Sequence, residues 1–241
     1  MKRTVVVPDL QVPYHDPIAV KNVAAYIKAV RPDSVVTLGD EIDLPQISRW
    51  QESTPGWYEQ TLAADRDEAV EVLWSLVEHS KEAHMIRSNH TDRLYNVIMK
   101  KIPAFLALPE LRFEKFLKLD ELGITYHKKP YAIARGIVAV HGDEQSVKPT
   151  PGLTALEAAR RHGISVICGH THRAGQSAFT EASGGRIGRI LRGWEAGHLM
   201  DVRQAHYTKG TMNWQQAFII IEEVGTNVQV SIINLEKDGT F

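Results

Sequence analysis

Asp9 and Gln11, Asp40 and Asp43, Asn89 and His90, His141, and the pair His170 and His172 each follow a short apolar run. Those runs are Thr4 to Val7, Val35 to Leu38, His84 to Ile86, Ile137 to Val140 and Ile164 to Ile167. Carboxylate, carboxamide and imidazole bind hard and borderline divalent cations, and one cation needs only three or four of them. That surplus of such side chains argues for two cations sharing Asp40, as in sites whose ions stand roughly 3.5–4 Å apart and clamp a displacement at phosphorus. Taken singly the residues say less, since an isolated Asp9 reads equally as a turn or cap residue.

The elements that must position these groups are strands. Val35 to Leu38 is β-branched and apolar before Gly39 and Asp40, the pattern of a buried strand opening into a loop. In open α/β sheets the ligand crevice lies beyond the carboxyl ends of the strands. Between the first two runs, Asp16 is placed to cap a helix with Pro17 at its first position, and Val20, Val23, Ala24, Ile27 and Val30 form one face. That β-α-β unit makes the two strands parallel and sets Asp9 beside Asp40. Val70, Leu73, Leu76 and Val77 mark a second helix between about residues 64 and 79. Thr154 and Glu157 have capping-box spacing for a helix that Gly163 closes. If the chain stays extended after the last run, His170 and His172 project to the same side. Beyond Arg173, alternation at 178–180, 187–191, 217–221 and 228–233 predicts an antiparallel half packed on the first sheet.

The ordered set Asp9-Leu-Gln11, Gly39-Asp40-Glu-Ile-Asp43, Ser88-Asn89-His90, His141-Gly142 and Gly169-His170-Thr171-His172 resembles the calcineurin-like metallophosphoesterase superfamily. The resemblance runs from the start of the chain to about Arg173. It implies an α/β fold of two packed mixed sheets flanked by helices (a four-layer α/β/β/α sandwich); length and composition fit one domain over residues 1–241, and the pattern near 93–122, broken at Pro103 and Pro109, reads as a helical insertion. It also implies two divalent ions, Mn²⁺ first, with Mg²⁺, Fe²⁺, Ni²⁺, Co²⁺ and Zn²⁺ as the other candidates. Asp9, Gln11, Asp40 and His172 would hold one ion, and Asp40, Asn89, His141 and His170 the other. A hydroxide between them would attack phosphorus while His90 stabilises or protonates the leaving oxygen. Three positions depart from the pattern: Gln11 stands where the superfamily has His, Ser88 replaces a glycine, and Thr91 takes the place of an acid that here follows as Asp92.

Other residues are placed by neighbourhood. Asp43, Asp92 and Asp143 are candidates to orient histidines. Trp194 and His198, in the ring-bearing stretch Gly193 to His198, are candidates for substrate contact, as are Trp50 and Trp57 in a loop over residues 46–60. Lys100, Lys101, Lys115 and Lys118 read as a solvated face. With 28 basic and 29 acidic residues in 241, a net charge of −1 carries no bulk signature of nucleic-acid or anionic-membrane binding. A lone Cys168 suits a reducing cytoplasm. The apolar run after Met1-Lys-Arg is too short for an export signal or a membrane span. The expected activity is hydrolysis of small or nucleotide-type phosphodiesters, cyclic nucleotides included. A nuclease or repair exonuclease, and a catalytically weak protein-binding scaffold on the same fold, are the alternatives.

Overall fold

The computed structural model describes residues 1–48, 57, 61–204 and 212–241. Trp50 lies outside the described residues.

Strand β1 (Lys2–Val7) leads through Asp16 into helix α1 (Pro17–Val30). The Asp16 carboxylate accepts the backbone N–H groups of Ile18 and Ala19, with Pro17 at the first turn. After β2 (Ser34–Thr37) come α2 (Leu62–Val77), β3 (Glu82–Ile86) and α3 (Thr91–Lys101). Short 3-10 turns and the single-turn α4 (Phe113–Phe116) complete a helical crossover to β4 (Ile124–His127). The chain continues through β5 (Tyr131–Ala134), β6 (Ile137–Val140), α5 (Leu153–His162) and β7 (Ser165–Cys168). A long ribbon of β8 (Ala174–Ser183) and β9 (Arg186–Ala196) precedes β10 (Ala217–Val224) and β11 (Asn227–Asn234).

Two mixed sheets result, ordered β11-β10-β1-β2-β3-β4 and β5-β6-β7-β9-β8. The central strands β1 to β4 run parallel, as do β6, β7 and β9. Their apolar residues are buried on both faces, which is why the sequence runs read as continuous rather than alternating. Val5, Val7, Val35 and Met85 pack outward under α1 and α2, against Val23, Ile27, Leu73 and Leu76. Val6, Val36, Leu38 and Ile86 pack inward, against Ile137, Ala139, Ile167 and Ala196 of the second sheet. Ala155, Ala158 and Ala159 seat α5 on the outer face of that sheet. The layers are helix, sheet, sheet, helix.

The second half forms antiparallel ribbons, β8 with β9 and β10 with β11, but they divide between the two sheets rather than making one block. β10 pairs with β1 and so extends the first sheet, while β9 runs parallel to β7 in the second. Strand partners so far apart in sequence are chosen by burial: Ile219 and Ile221 close the inter-sheet core from β10. The capping box at Thr154 also fails to form. The cap position is Gly152, in left-handed backbone, and the first N–H groups of α5 find a distant carboxylate instead. No helix among the described residues is long and apolar enough to cross a membrane.

Candidate metal centre

The parallel register sets the carboxyl ends of β1 and β2 level, with Val7 opposite Thr37. Immediately beyond, the N–H groups of Leu10 and Gln11 donate to the Asp40 carbonyl at 3.2 and 2.8 Å, which ties the two loops together. Gly39 has φ +95°, and a Cβ there would stand 2.5 Å from that of Ser88. Ser88 fills the space glycine leaves. Its hydroxyl accepts the Asp40 N–H at 3.0 Å and the Thr91 N–H at 3.1 Å, and Thr91 Oγ1 accepts the Ser88 N–H at 2.8 Å. Ser88 and Thr91, the two departures in this loop, therefore serve as its mutual braces. Across the sheets, a Cβ on Gly169 would meet Asp9 Oδ1 at 2.3 Å. The missing side chain lets the loop after β7 close on Asp9, whose carboxylate accepts the His170 N–H at 3.1 and 3.0 Å.

These approaches bring the ligand candidates to one place. Asp40, His141 and His170 offer atoms all within 4.8 Å of one another, a group that could hold a metal ion. His141 Nε2 lies 2.9 Å from Asn89 Oδ1, 3.2 Å from His170 Nδ1 and 3.4 Å from Asp40 Oδ1. His141 Nδ1 is 2.8 Å from the Leu38 carbonyl. A bond donated there fixes the tautomer that aims Nε2 into the cluster, as the outer contact of a metal-binding imidazole does. On the other side of Asp40, Gln11 Nε2 is 3.1 Å from Asp40 Oδ2 and 3.4 Å from His172 Nε2, which is itself 3.1 Å from Asp9 Oδ2. The Gln11 amide oxygen is buried with no hydrogen-bond partner among the described residues. Half a turn of the amide would bring that oxygen to the cluster.

Gln11, Asp40, His170 and His172 all have positive φ, between 56° and 65°. Residues with side chains rarely adopt that backbone, and each such position costs of order 1–3 kcal/mol when held by its surroundings. Such strain gathers at functional sites.

The electrostatics of the cluster centre on the coupling of Asp40 with its histidines. Burial disfavours charge on Asp40, yet the surrounding histidines, His141 and His90 foremost, hold its carboxyl well below the usual range. Burial likewise opposes charge on His141, but the Asp40 carboxylate prevails and pushes its pKa up to about 10. His170 is lowered, by burial and by the charge on His141. His90 is lowered by burial, against the pull of Asp40 and Asp43. It stands with Nε2 3.7 Å from Asp40 Oδ2 and Nδ1 3.3 Å from Asp43 Oδ1. Asp43 is thus the carboxylate nearest His90 Nδ1, which makes no hydrogen bond among the described residues.

Asp92 and Asp143 face elsewhere. Both bind Arg87, Asp143 with both oxygens 2.7 Å from Nη1 and Asp92 at 2.9 Å from Nε, and neither forms a hydrogen bond with a cluster histidine among the described residues, although the Asp143 charge acts to raise the pKa of His141 and His170. Their fixed partner is an arginine that the motif reading left out. Trp194 belongs to the end of β9 rather than to a loop. Its ring lies in the inter-sheet core and Nε1 donates to Gln176 at 3.0 Å, which removes it from substrate contact. His198 is buried behind His172, ring centres 5.6 Å apart, with Nδ1 accepting the Met200 N–H at 3.1 Å. It backs the site without facing the pocket.

Three residues went unread in the sequence. Arg93, on the first turns of α3, donates to the Asp43 carbonyl and lies 3.6 Å from its carboxylate. Trp214 sets its ring edge-on to His172, centres 4.4 Å apart. Both line the pocket of about 430 Å³ that holds Gln11, Asp40, Asn89, His90, His170 and His172. Glu195, fully buried, accepts from the N–H groups of Thr154 (2.8 Å) and Ala155 (3.4 Å) and from the Thr171 hydroxyl (2.9 Å). Arg93 falls one turn after His90, a spacing that could have flagged it. Trp214 and Glu195 carry no comparable signal.

The chain is 33% identical over 240 residues to the gene 54 protein of Mycobacterium phage D29, covering 96% of this chain and 93% of that protein. It belongs to the family of the mycobacteriophage gene 54 proteins. The gene 54 protein of Mycobacterium phage L5 matches to the same identity and extent. No family model matches the chain. Among solved structures, Vps29 from Chaetomium thermophilum aligns over 98% of this chain and 93% of its own, with 12% identity and a TM-score of 0.46. A single mutant of Vps29 from Entamoeba histolytica aligns over 97% and 99%, with 14% identity and a TM-score of 0.44. Within the gene 54 family this chain therefore supplies its own account of the site, from the geometry above.

Proposed function

We propose that this gene 54 family member is a metal-dependent phosphodiesterase of the calcineurin-like metallophosphoesterase superfamily. The observation that carries the reading is the convergence of five separated loops on Asp40, with four of the converging residues in strained backbone. The donor set contains only oxygen and nitrogen, which suits Mn²⁺ and similar divalent ions better than soft ones. The unpartnered Gln11 oxygen and the inward-facing His141 Nε2 fit such an occupant. Asp9, Gln11, Asp40 and His172 would hold one ion, and Asp40, Asn89, His141 and His170 a second. Divalent ions there would supply Lewis acidity towards a phosphoryl oxygen and lower the pKa of water.

The chain's own residues supply the rest. His90, with Nδ1 3.3 Å from Asp43 Oδ1 and Nε2 3.7 Å from Asp40 Oδ2, would stabilise charge on the departing oxygen or protonate it. An alkoxide gains more from such an acid than an inorganic leaving group does, so diesters are favoured over monoesters. Arg93 offers its guanidinium to non-bridging oxygens at the pocket wall. Trp214 flanks His172 and limits water on that side. The buried thiol of Cys168 fits a reducing compartment such as cytoplasm.

The test is Mn²⁺-supported hydrolysis of bis(p-nitrophenyl) phosphate against p-nitrophenyl phosphate. Diester turnover should exceed monoester turnover. His90→Ala should slow the diester reaction by about 10² to 10⁴ while calorimetry finds Mn²⁺ affinity unchanged. Faster monoester turnover would reverse the substrate class, and loss of Mn²⁺ binding in His90→Ala would make His90 a ligand.

A further inference from the structure

The metal pocket does not end at Arg93. A second cavity of about 710 Å³ adjoins it, and Ser48, Asn89 and Arg93 line both. Its wall is one face of α3, where Arg93, Asn96, Val97, Lys100 and Lys101 follow one another. Residues three, four and seven apart on a helix share a face. At 1.5 Å per residue, Arg93 to Lys100 spans roughly 10 Å, further than a single phosphate group reaches. Trp57 also lines it.

The described lining holds three cations and three carboxamides but no carboxylate. Lys100 and Lys101 are exposed, and no carboxylate among the described residues pairs with either. As last-turn lysines they would be accounted for by the helix dipole alone. What they line is not accounted for that way: a trough with no acid among its described lining residues, which shares Ser48, Asn89 and Arg93 with the metal pocket. A groove of cations with an aromatic platform is the combination that tracks a single nucleic-acid strand, since stacking on the ring needs an unpaired base.

We infer that the trough along α3 is a binding site for single-stranded nucleic acid, which it leads into the metal cluster. The inference deepens the phosphodiesterase reading and rests on it for the cleavage step. Arg93 holds the phosphate nearest the cluster, Lys100 and Lys101 hold phosphates further along, and Trp57 stacks on a base. The near-zero net charge of the chain hides a local strip whose described lining carries cations and no carboxylate.

The test measures binding and turnover separately. Fluorescence anisotropy of labelled oligothymidylates of increasing length, in chelator so that none is cleaved, should show affinity rising with length and then levelling once the trough is filled. Lys100→Glu/Lys101→Glu should weaken the long strands at least about tenfold more than a dinucleotide, and flatten the salt dependence by about 0.7 per lost phosphate contact. If charge reversal perturbs α3 by circular dichroism, Lys100→Gln/Lys101→Gln should give the same ordering with a smaller loss. Affinity independent of length, equal weakening of long and short strands, or tighter binding of duplex than of single strands would each overturn the inference. Failure to hydrolyse bis(p-nitrophenyl) phosphate with any divalent ion would instead overturn the phosphodiesterase reading, leaving the anisotropy result to judge the trough.

Discussion

Beside Asp40 sits another acid that no ligand pattern includes. Glu41 is buried, its Oε1 accepts from the Thr37 hydroxyl and the Gly39 N–H, and its Oε2 has no partner among the described residues. Burial pushes its pKa up to about 7. Between the ordinary carboxylate value and that figure the folded state binds more protons than the unfolded, so stability falls as pH rises through the interval. A difference of this size is worth up to about 3 kcal/mol. Glu41→Gln keeps the accepting oxygen and removes the titration. Its melting temperature should match the parent at pH 5 and exceed it at pH 8, read in chelator by calorimetry; an equal gap at both values would show that Glu41 stays charged in the fold. Residues of this kind escape sequence reading because burial rather than identity sets their chemistry. Asp40 and His141 were legible because each follows an apolar run. Trp194, although equally conspicuous, points into the core because its place on β9 faces the other sheet.

At the scale of elements, Glu195 joins the start of α5 to the loop carrying His170 and His172, since Thr171 between them donates to it. Gly193 allows that junction: a Cβ there would stand 2.1 Å from the Leu156 nitrogen, so helix and strand touch backbone to backbone. Glu195→Ala would strand two helix N–H groups and a hydroxyl in a buried site. The cost should be about 3 kcal/mol or more in urea unfolding, and Mn²⁺ affinity should fall with it; loss of stability with full metal affinity would confine Glu195 to holding the helix. The sequence proposed Thr154 as the cap because local spacing is visible there, whereas a carboxylate 41 residues away is not. The ribbon of β8 and β9 was legible only in fragments for a related reason. Much of it is exposed, so no buried face imposes alternation on its Ser, Thr, Glu and Arg residues.

For the molecule as a whole, the two sheets meet so that loops from both complete one cluster. Asp9, Asp40 and Asn89 come from the first, His141, His170 and His172 from the second. Ions binding there should therefore stabilise the entire fold. At a hundred times the dissociation constant the gain is about 2.7 kcal/mol, or roughly 5–10 °C in melting temperature for a chain of this size. Asp40→Asn should abolish that rise, and a rise that survived the substitution would place the ions elsewhere. The parallel pairing of β1 with β2 was readable from the two runs and the helical crossover between them. The docking of β10 on β1 was not, because it joins the two ends of the chain and no local pattern announces it.

The left-handed backbone at positions 11, 40, 170 and 172 has a consequence for descent. Glycine would relax each position, so idle side chains there would be steadily traded away by drift. Copies of this gene freed from their task should accumulate glycine at those four positions before their cores decay, while working copies keep the tension.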